Sequence, residues 1–254
     1  MNTAAGKKPL LITIALSHYC EKVRWAMDYL NIDYQEESHA PPFHRQYTSR
    51  YGGSSVPVFV INNKALIDSH DILEYLNDIS EDSQLYSQDS QQRDRIETLE
   101  KLFDEKLGVA TRVWGYYYAI EEPLKVAIAW GIKAPLIEKI KTIFTFHKIP
   151  QILKRFYNIT PETKDAALND IREVFATVSK ELNSGKQYLV GDRLSAADIT
   201  FAALASPILR PPNHPIYNSE LSKILSPERL SVVEELRSTP AGELAMRMYR
   251  EHRL

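Results

Sequence analysis

Residues 10–30 read LLITIALSHYCEKVRWAMDYL, and the fold follows from how they are read. Leu11–Leu16 is a short, largely apolar, partly β-branched run, the pattern of a buried strand. Ser17 follows at once; a serine there serves as a helix N-cap, because its hydroxyl accepts from a free backbone N–H of the next turn. From Tyr19 to Leu30, the residues Val23, Ala26, Met27 and Leu30 recur at helical spacing, which makes one face apolar. The stretch is therefore expected to be a strand running straight into a capped helix. Lys7 and Lys8 ahead of an apolar run also suit a very short signal peptide. No small-residue cleavage site follows, however, and a first strand is expected instead.

Downstream, Asp33–Glu36 suits a second short strand. Ser38–Ser55 is a polar connection containing Pro41, Pro42, Gly52 and Gly53. Val56–Ile61 is a strongly apolar strand. Asn62 and Asn63 suit a hairpin turn because Asn tolerates positive φ. Ala65–Ile67 then returns antiparallel, and Ser69–Ile79 is helical with Ile72, Leu73, Leu76 and Ile79 inward. The order is β-α-β, a long connection, then β-β-α. This gives an N-terminal domain over residues 10–80, a polar linker over 81–90, and an all-helical domain over 91–254. In the last, Ile96, Leu99, Phe103, Leu107, Ala110 and Trp114 step through one long helix. A second helix is expected over Glu138–Ile149. Thr160-Pro161 opens another, whose stripe runs from Leu168 to Leu182 and ends near Gly185. Ser195-Ala-Ala-Asp198 has the form of a capping box, flanked by the staple pair Leu194 and Ile199. Pro211, Pro212 and Pro215 mark a loop, and the chain is helical again from Pro227.

Composition sets bounds on function. The 254 residues carry 31 basic and 33 acidic side chains, net charge −2, so no generally basic nucleic-acid binder is indicated. No apolar run approaches the ~18 residues a membrane span needs. The single cysteine excludes an intramolecular disulfide and a Cys-rich metal site, and fits a reducing compartment. His39 and His44 lie in one loop without a third ligand, so no metal is expected. Asn158-Ile-Thr160 matches a glycosylation pattern, read as chance without a secretory signal.

Three short segments carry chemistry. Ser17-His-Tyr-Cys20 sits at a helix N-terminus, where free N–H groups and the dipole stabilise a thiolate. Its spacing is that of a Cys-x-x-Cys motif with Ser in the first place. Ser17 is open to two readings, a plain cap or a hydroxyl that donates to a ligand's thiolate. Cys20 is either a small buried hydrophobe or a nucleophile. Val56-Pro57 opens a strand, where proline is tolerated, or forms a cis bond that presents the Val56 backbone to a peptide-like ligand. Asp68-Ser69 starts a helix, as a cap or as a recognition pair for an ammonium and a carboxylate. Trp114, Tyr116, Tyr117 and Tyr118 cannot all be core on one helix, which leaves packing, a subunit interface or an acceptor pocket for them.

Together these segments resemble the glutathione S-transferases, in the serine-type or omega-like cytosolic classes. The resemblance rests on residues 17–26, SHYCEKVRWA, on Ser55-Val-Pro-Val58, on residues 68–73, DSHDIL, and on residues 191–200, GDRLSAADIT. It implies a thioredoxin-like α/β N-terminal domain plus an all-α C-terminal domain. It implies glutathione as co-substrate and a small electrophile as its partner, in a cytoplasmic homodimeric enzyme of detoxification. On this resemblance Asp68 and Ser69 take the γ-glutamyl amino and carboxylate groups. Val56, before Pro57 and beside Ser55, bonds the cysteinyl backbone. Ser17 stabilises the thiolate with Tyr19 nearby, and His44 or Arg45 meets the glycyl carboxylate. His18 stands where the family often has Pro, and Asp68 where Glu or Gln is commoner. Two alternatives remain open: a thiol–disulfide oxidoreductase or deglutathionylase working through Cys20, and a non-catalytic glutathione-binding protein. The stretch from about residue 115 to 159 matches nothing in the resemblance.

Overall fold

The computed structural model describes residues 8–62, 64–80, 84–182, 185–216 and 225–253. Strand β1 (Leu10–Thr13) runs into helix α1 (His18–Tyr29), which crosses back to β2 (Gln35–Ser38). Because α1 is a crossover, β2 lies parallel to β1. Helix α2 (His44–Thr48) and a 3-10 turn (Ser49–Tyr51) occupy the long connection. Strands β3 (Val58–Ile61) and β4 (Lys64–Leu66) then form an antiparallel hairpin. Asn62 takes φ 47° in its turn, and Asn63 lies outside the described residues. The sheet order is β2-β1-β3-β4, and α3 (Ser69–Ile79) follows. This mixed sheet followed by helices is the thioredoxin-like plus all-α architecture expected. The strand bounds shift by one to three residues. Val56 and Pro57 precede β3 instead of opening it.

The helical part begins with α4 (Ser90–Leu102), capped by Asp89. The single long helix expected here is divided. A π turn (Phe103–Leu107) separates α4 from α5 (Gly108–Ala119). Next come α6 (Pro123–Trp130) and α7 (Leu136–Phe144). The helix expected over 138–149 stops early at Phe144, and a 3-10 turn (Phe146–Lys148) leads into α8 (Ile149–Tyr157). Pro150 in the first turn of α8 explains the break, since proline fits a helix start and not its interior. Helices α9 (Pro161–Leu182), α10 (Ala196–Leu209), α11 (Pro227–Arg237) and α12 (Pro240–Glu251) complete the described chain. Asp198 reaches back to the backbone N–H of Ser195 at 3.0 Å and accepts its hydroxyl at 2.7 Å, so the α10 start is held as the sequence suggests.

One apolar core runs through both parts, from Leu11 and Phe59 to Phe201 and Tyr249. Fully burying such a side chain stabilises by roughly 1.5–3 kcal/mol. The stretch expected as a polar linker also contributes, for Leu85 and Tyr86 are buried. Asn77 Oδ1 accepts from both of their backbone N–H groups, at 2.9 and 3.1 Å. Residues 81–83 of that stretch lie outside the described residues. Helix α1 is enclosed between α3 and α10. Even its charged residues Glu21, Lys22 and Arg24 are buried.

Candidate functional site

The end of β1 and the start of α1 set the first wall. Ser17 is extended (φ −71°, ψ 120°), and its Oγ accepts from the Cys20 N–H at 3.4 Å, which caps α1. Cys20, one turn on, is completely buried, and burial pushes its thiol up against the opposing pull of Arg24 and Ser17. A neutral thiol without solvent access is a poor nucleophile. His18 is also buried. Burial, with the charge of Arg112, holds it down to about 3, so the ring is neutral and Nε2–H donates to the Gly108 carbonyl at 3.0 Å.

A cavity of about 640 Å³ opens between the sheet part and the helices. Tyr19, Ser55, Val56, Pro57, Ile67, Asp68, Ser69 and His70 line one side, and Glu97, Lys101, Asp104, Glu105 and Arg112 the other. Such a volume suits a small-molecule ligand. Six of the residues singled out from sequence thus meet in one place: Tyr19, Ser55, Val56, Pro57, Asp68 and Ser69. The Val56–Pro57 peptide is cis, as is Pro41–Pro42. Asp68 is the N-cap of α3; its Oδ1 accepts from His70 N–H at 2.8 Å.

Ser17, Cys20, His44 and Arg45 are not among the lining residues. Both His44 and Arg45 lie on α2. Burial lowers His44 to about 4, and the Arg45 guanidinium sits 5.2 Å above the Phe156 ring. The aromatic cluster on α5 also stays out of the cavity. Trp114 is core, Tyr116 packs on Tyr157, and Tyr118 donates to Glu228 at 2.9 Å.

The helical wall comes from the π turn and its neighbours. Tyr19 donates its hydroxyl to the Asp104 carbonyl at 2.6 Å, and burial raises the phenol to about 12. Gly108 makes room for this ring, since a Cβ there would lie 2.4 Å from the Tyr19 oxygen. The Arg112 guanidinium stacks 5.2 Å from the Tyr19 ring and 5.7 Å from that of Tyr157. Asp104 Oδ2 pairs with Lys22 at 2.8 Å, while its Oδ1 is buried without a hydrogen-bond partner.

Behind this wall Glu100 gathers Lys22 at 2.6 Å, the Tyr86 hydroxyl at 2.7 Å and His70 Nδ1 at 3.0 Å. Burial alone would raise the Glu100 carboxyl, but Lys22 and the two further hydrogen bonds hold it at about 2. The bond to Glu100 in turn raises His70 to about 9, so the imidazolium persists at neutral pH beside Asp68 and Ser69. Sequence reasoning missed His70, Asp104 and Arg112. Their partners in this wall, Glu100 for His70 and Tyr19 for Asp104 and Arg112, lie 30, 85 and 93 positions away, so no local motif announces them.

The chain belongs to the glutathione S-transferase superfamily. Its N-terminal domain family matches residues 11–84 and its C-terminal domain family matches residues 134–213. Solved structures share the fold at low identity. The beta-etherase LigF from Sphingobium sp. strain SYK-6 is 19% identical with a TM-score of 0.59, over 94% of this chain and 99% of that one. Poplar glutathione transferase F1 is 12% identical with a TM-score of 0.57, over 96% and 99%. A glutathione S-transferase from Methylobacillus flagellatus kt, solved with glutathione bound, is 16% identical with a TM-score of 0.53, over 93% and 98%. No curated protein matches the chain by sequence. No described helix is long and apolar enough to cross a membrane.

Proposed function

We propose that this protein is a glutathione transferase that holds the glutathione thiolate for attack on a small electrophile. One observation carries the reading: Val56, Asp68 and Ser69 line the same cavity as Tyr19 and Arg112. The cavity holds charges of both signs, as the ligand does. Glutathione carries one ammonium and two carboxylates; the walls carry the carboxylates of Asp68, Glu97, Asp104 and Glu105 together with the cations His70, Lys101 and Arg112. Asp68 would face the γ-glutamyl ammonium, and Ser69, at the α3 N-terminus with His70 beside it, the adjoining carboxylate. The backbone of Val56 would bond the cysteinyl residue. Ser17, at the α1 N-terminus, would donate to the thiolate, and the thiol proton leaves to solvent before sulfur attacks the acceptor. Each unit by which the thiol pKa falls is worth about 1.4 kcal/mol of thiolate stabilisation. The oxidoreductase alternative finds no support in the burial of Cys20.

Calorimetric titration tests the binding. Asp68→Asn keeps a good cap and removes the charge, so glutathione affinity should fall at least about tenfold while the fold is retained, a charged hydrogen bond contributing roughly 1.5–3 kcal/mol. Unchanged affinity, or no binding by the parent, overturns the reading. Ser17→Ala should shift the pH profile of conjugation upward with affinity retained. An unshifted profile would move the thiolate role from Ser17 to Tyr19.

A further inference from the structure

Helix α7 is turned inside out. At about 100° per residue, Leu136, Ile137, Ile140, Ile143 and Phe144 share one arc roughly 120° wide. That arc is the one facing solvent: Leu136 is 72% exposed and Phe144 77%. The opposite edge, Glu138 and Thr142, faces the protein. Glu138 accepts from the Ala40 N–H at 2.9 Å and pairs with His39 Nδ1 at 2.9 Å, which fixes the rotation of the helix. Lys139 and Lys141 lie on either side of the apolar arc.

Charge in this region is as uneven as polarity. Residues 123–157 contain seven Lys or Arg and one acid, within a chain of net charge −2. The one acid is Glu138, which is buried. Among the described residues Lys139, Lys148, Lys154 and Arg155 have no ion-pair partner, whereas Lys125 and Lys133 pair with Glu122 and Glu36. Lys139 and Lys141 flank the apolar arc on α7, and the next turn and α8 carry further cations without acidic partners, so this region matches a surface that is apolar beneath and anionic on top. A second copy of this chain fits poorly, since a two-fold axis through the patch would set these lysines against one another.

We propose that α7 docks this protein onto the surface of an anionic phospholipid bilayer. The apolar arc enters the headgroup boundary and the flanking lysines meet lipid phosphates. The anchoring of Glu138 holds the helix flat beneath the rest of the molecule, so the chain lies on the bilayer without spanning it. This surface is separate from the cavity and stands or falls independently of the glutathione reading.

Flotation of the full chain with vesicles tests it. The probes are phosphatidylcholine alone and phosphatidylcholine mixed with phosphatidylglycerol. The parent should float with the anionic vesicles, stay free of the neutral ones, and be released by rising salt. Leu136→Asp/Phe144→Asp and, separately, Lys148→Glu/Lys154→Glu should each cut partitioning at least about tenfold, with glutathione affinity unchanged. If the first pair loses its fold by circular dichroism, the second pair and the salt series decide. Absence of binding to anionic vesicles, or equal binding to both kinds, overturns the proposal. So does a dimer in light scattering that Leu136→Asp/Phe144→Asp dissociates while vesicles stay unbound.

Discussion

Helices α1 and α7 break the same rule in opposite directions. Charges belong outside and large apolar groups inside, because each is stabilised there. Helix α1 buries Glu21, Lys22 and Arg24, while α7 exposes five large apolar side chains. The buried charges of α1 have partners within the molecule. Lys22 holds Glu100 and Asp104, and Arg24 holds Glu21 and Glu36 at 3.2 and 2.9 Å. The apolar arc of α7 has no such cover among the described residues. An inverted helix whose exceptions are satisfied internally is structural. One whose exceptions are not points outward.

Removing a partner from α1 gives the largest expected effect. Lys22→Met takes from the buried Glu100 carboxylate its closest cation, leaving only His70, and strips Asp104 of its partner, so it should cost about 3–5 kcal/mol, read as a lower urea midpoint at unchanged slope. Adding Glu100→Gln should recover part of that loss, because the pair is then removed together. A Lys22→Met midpoint equal to that of the parent would erase the contrast with α7.

A smaller effect follows from His70, which draws its charge from the same Glu100. Its proton is held more tightly in the folded chain, where it titrates at about 9 against an ordinary 6.5. The stabilisation is therefore complete below pH 6.5 and lost as pH rises through about 9. The His70 side chain is partly exposed, so solvent screening keeps the amplitude modest. Urea midpoints across that window should fall for the parent and fall less for His70→Gln. Parallel curves would show that His70 gains nothing from Glu100.

Substitution on α7 should have the smallest effect on stability. Leu136→Ser/Phe144→Ser removes two large apolar groups yet should change the folding free energy by only about 0.5 kcal/mol, as at other exposed sites. A loss of several kcal/mol would mean that this face packs against the protein and that the contrast is false.

What the sequence made legible follows the same division between local and distant partners. Caps act within three or four residues. Thus Ser17, Asp68, and Ser195 with Asp198 could be read as helix starts, and the segments proposed to hold glutathione with them. The π turn at Phe103–Leu107 was not legible, because the apolar stripe continues through it unbroken. Nor was the second wall of the cavity. Asp104, Glu105 and Arg112 look like solvated helix residues until α4 and α5 pack beside α1. For α7 only a helix over Glu138–Ile149 is legible, since periodicity gives the width of a face and not the direction it points. That direction is set by Glu138 meeting His39 and Ala40, 99 and 98 positions upstream and beyond the reach of any local pattern.

The far end of α1 ties assembly to synthesis. Arg253 Nε donates to Glu21 at 2.7 Å across 232 positions, and Trp25 Nε1 donates to the His252 carbonyl at 3.1 Å. A ribosome adding about 5–20 residues per second takes on the order of tens of seconds to travel from one partner to the other. Throughout that interval the nascent strand-and-helix unit keeps Glu21 without the Arg253 cation and Trp25 without its acceptor. An early-made segment is thus completed late, and α1 is expected to stay open to exchange until residues 252 and 253 are in place.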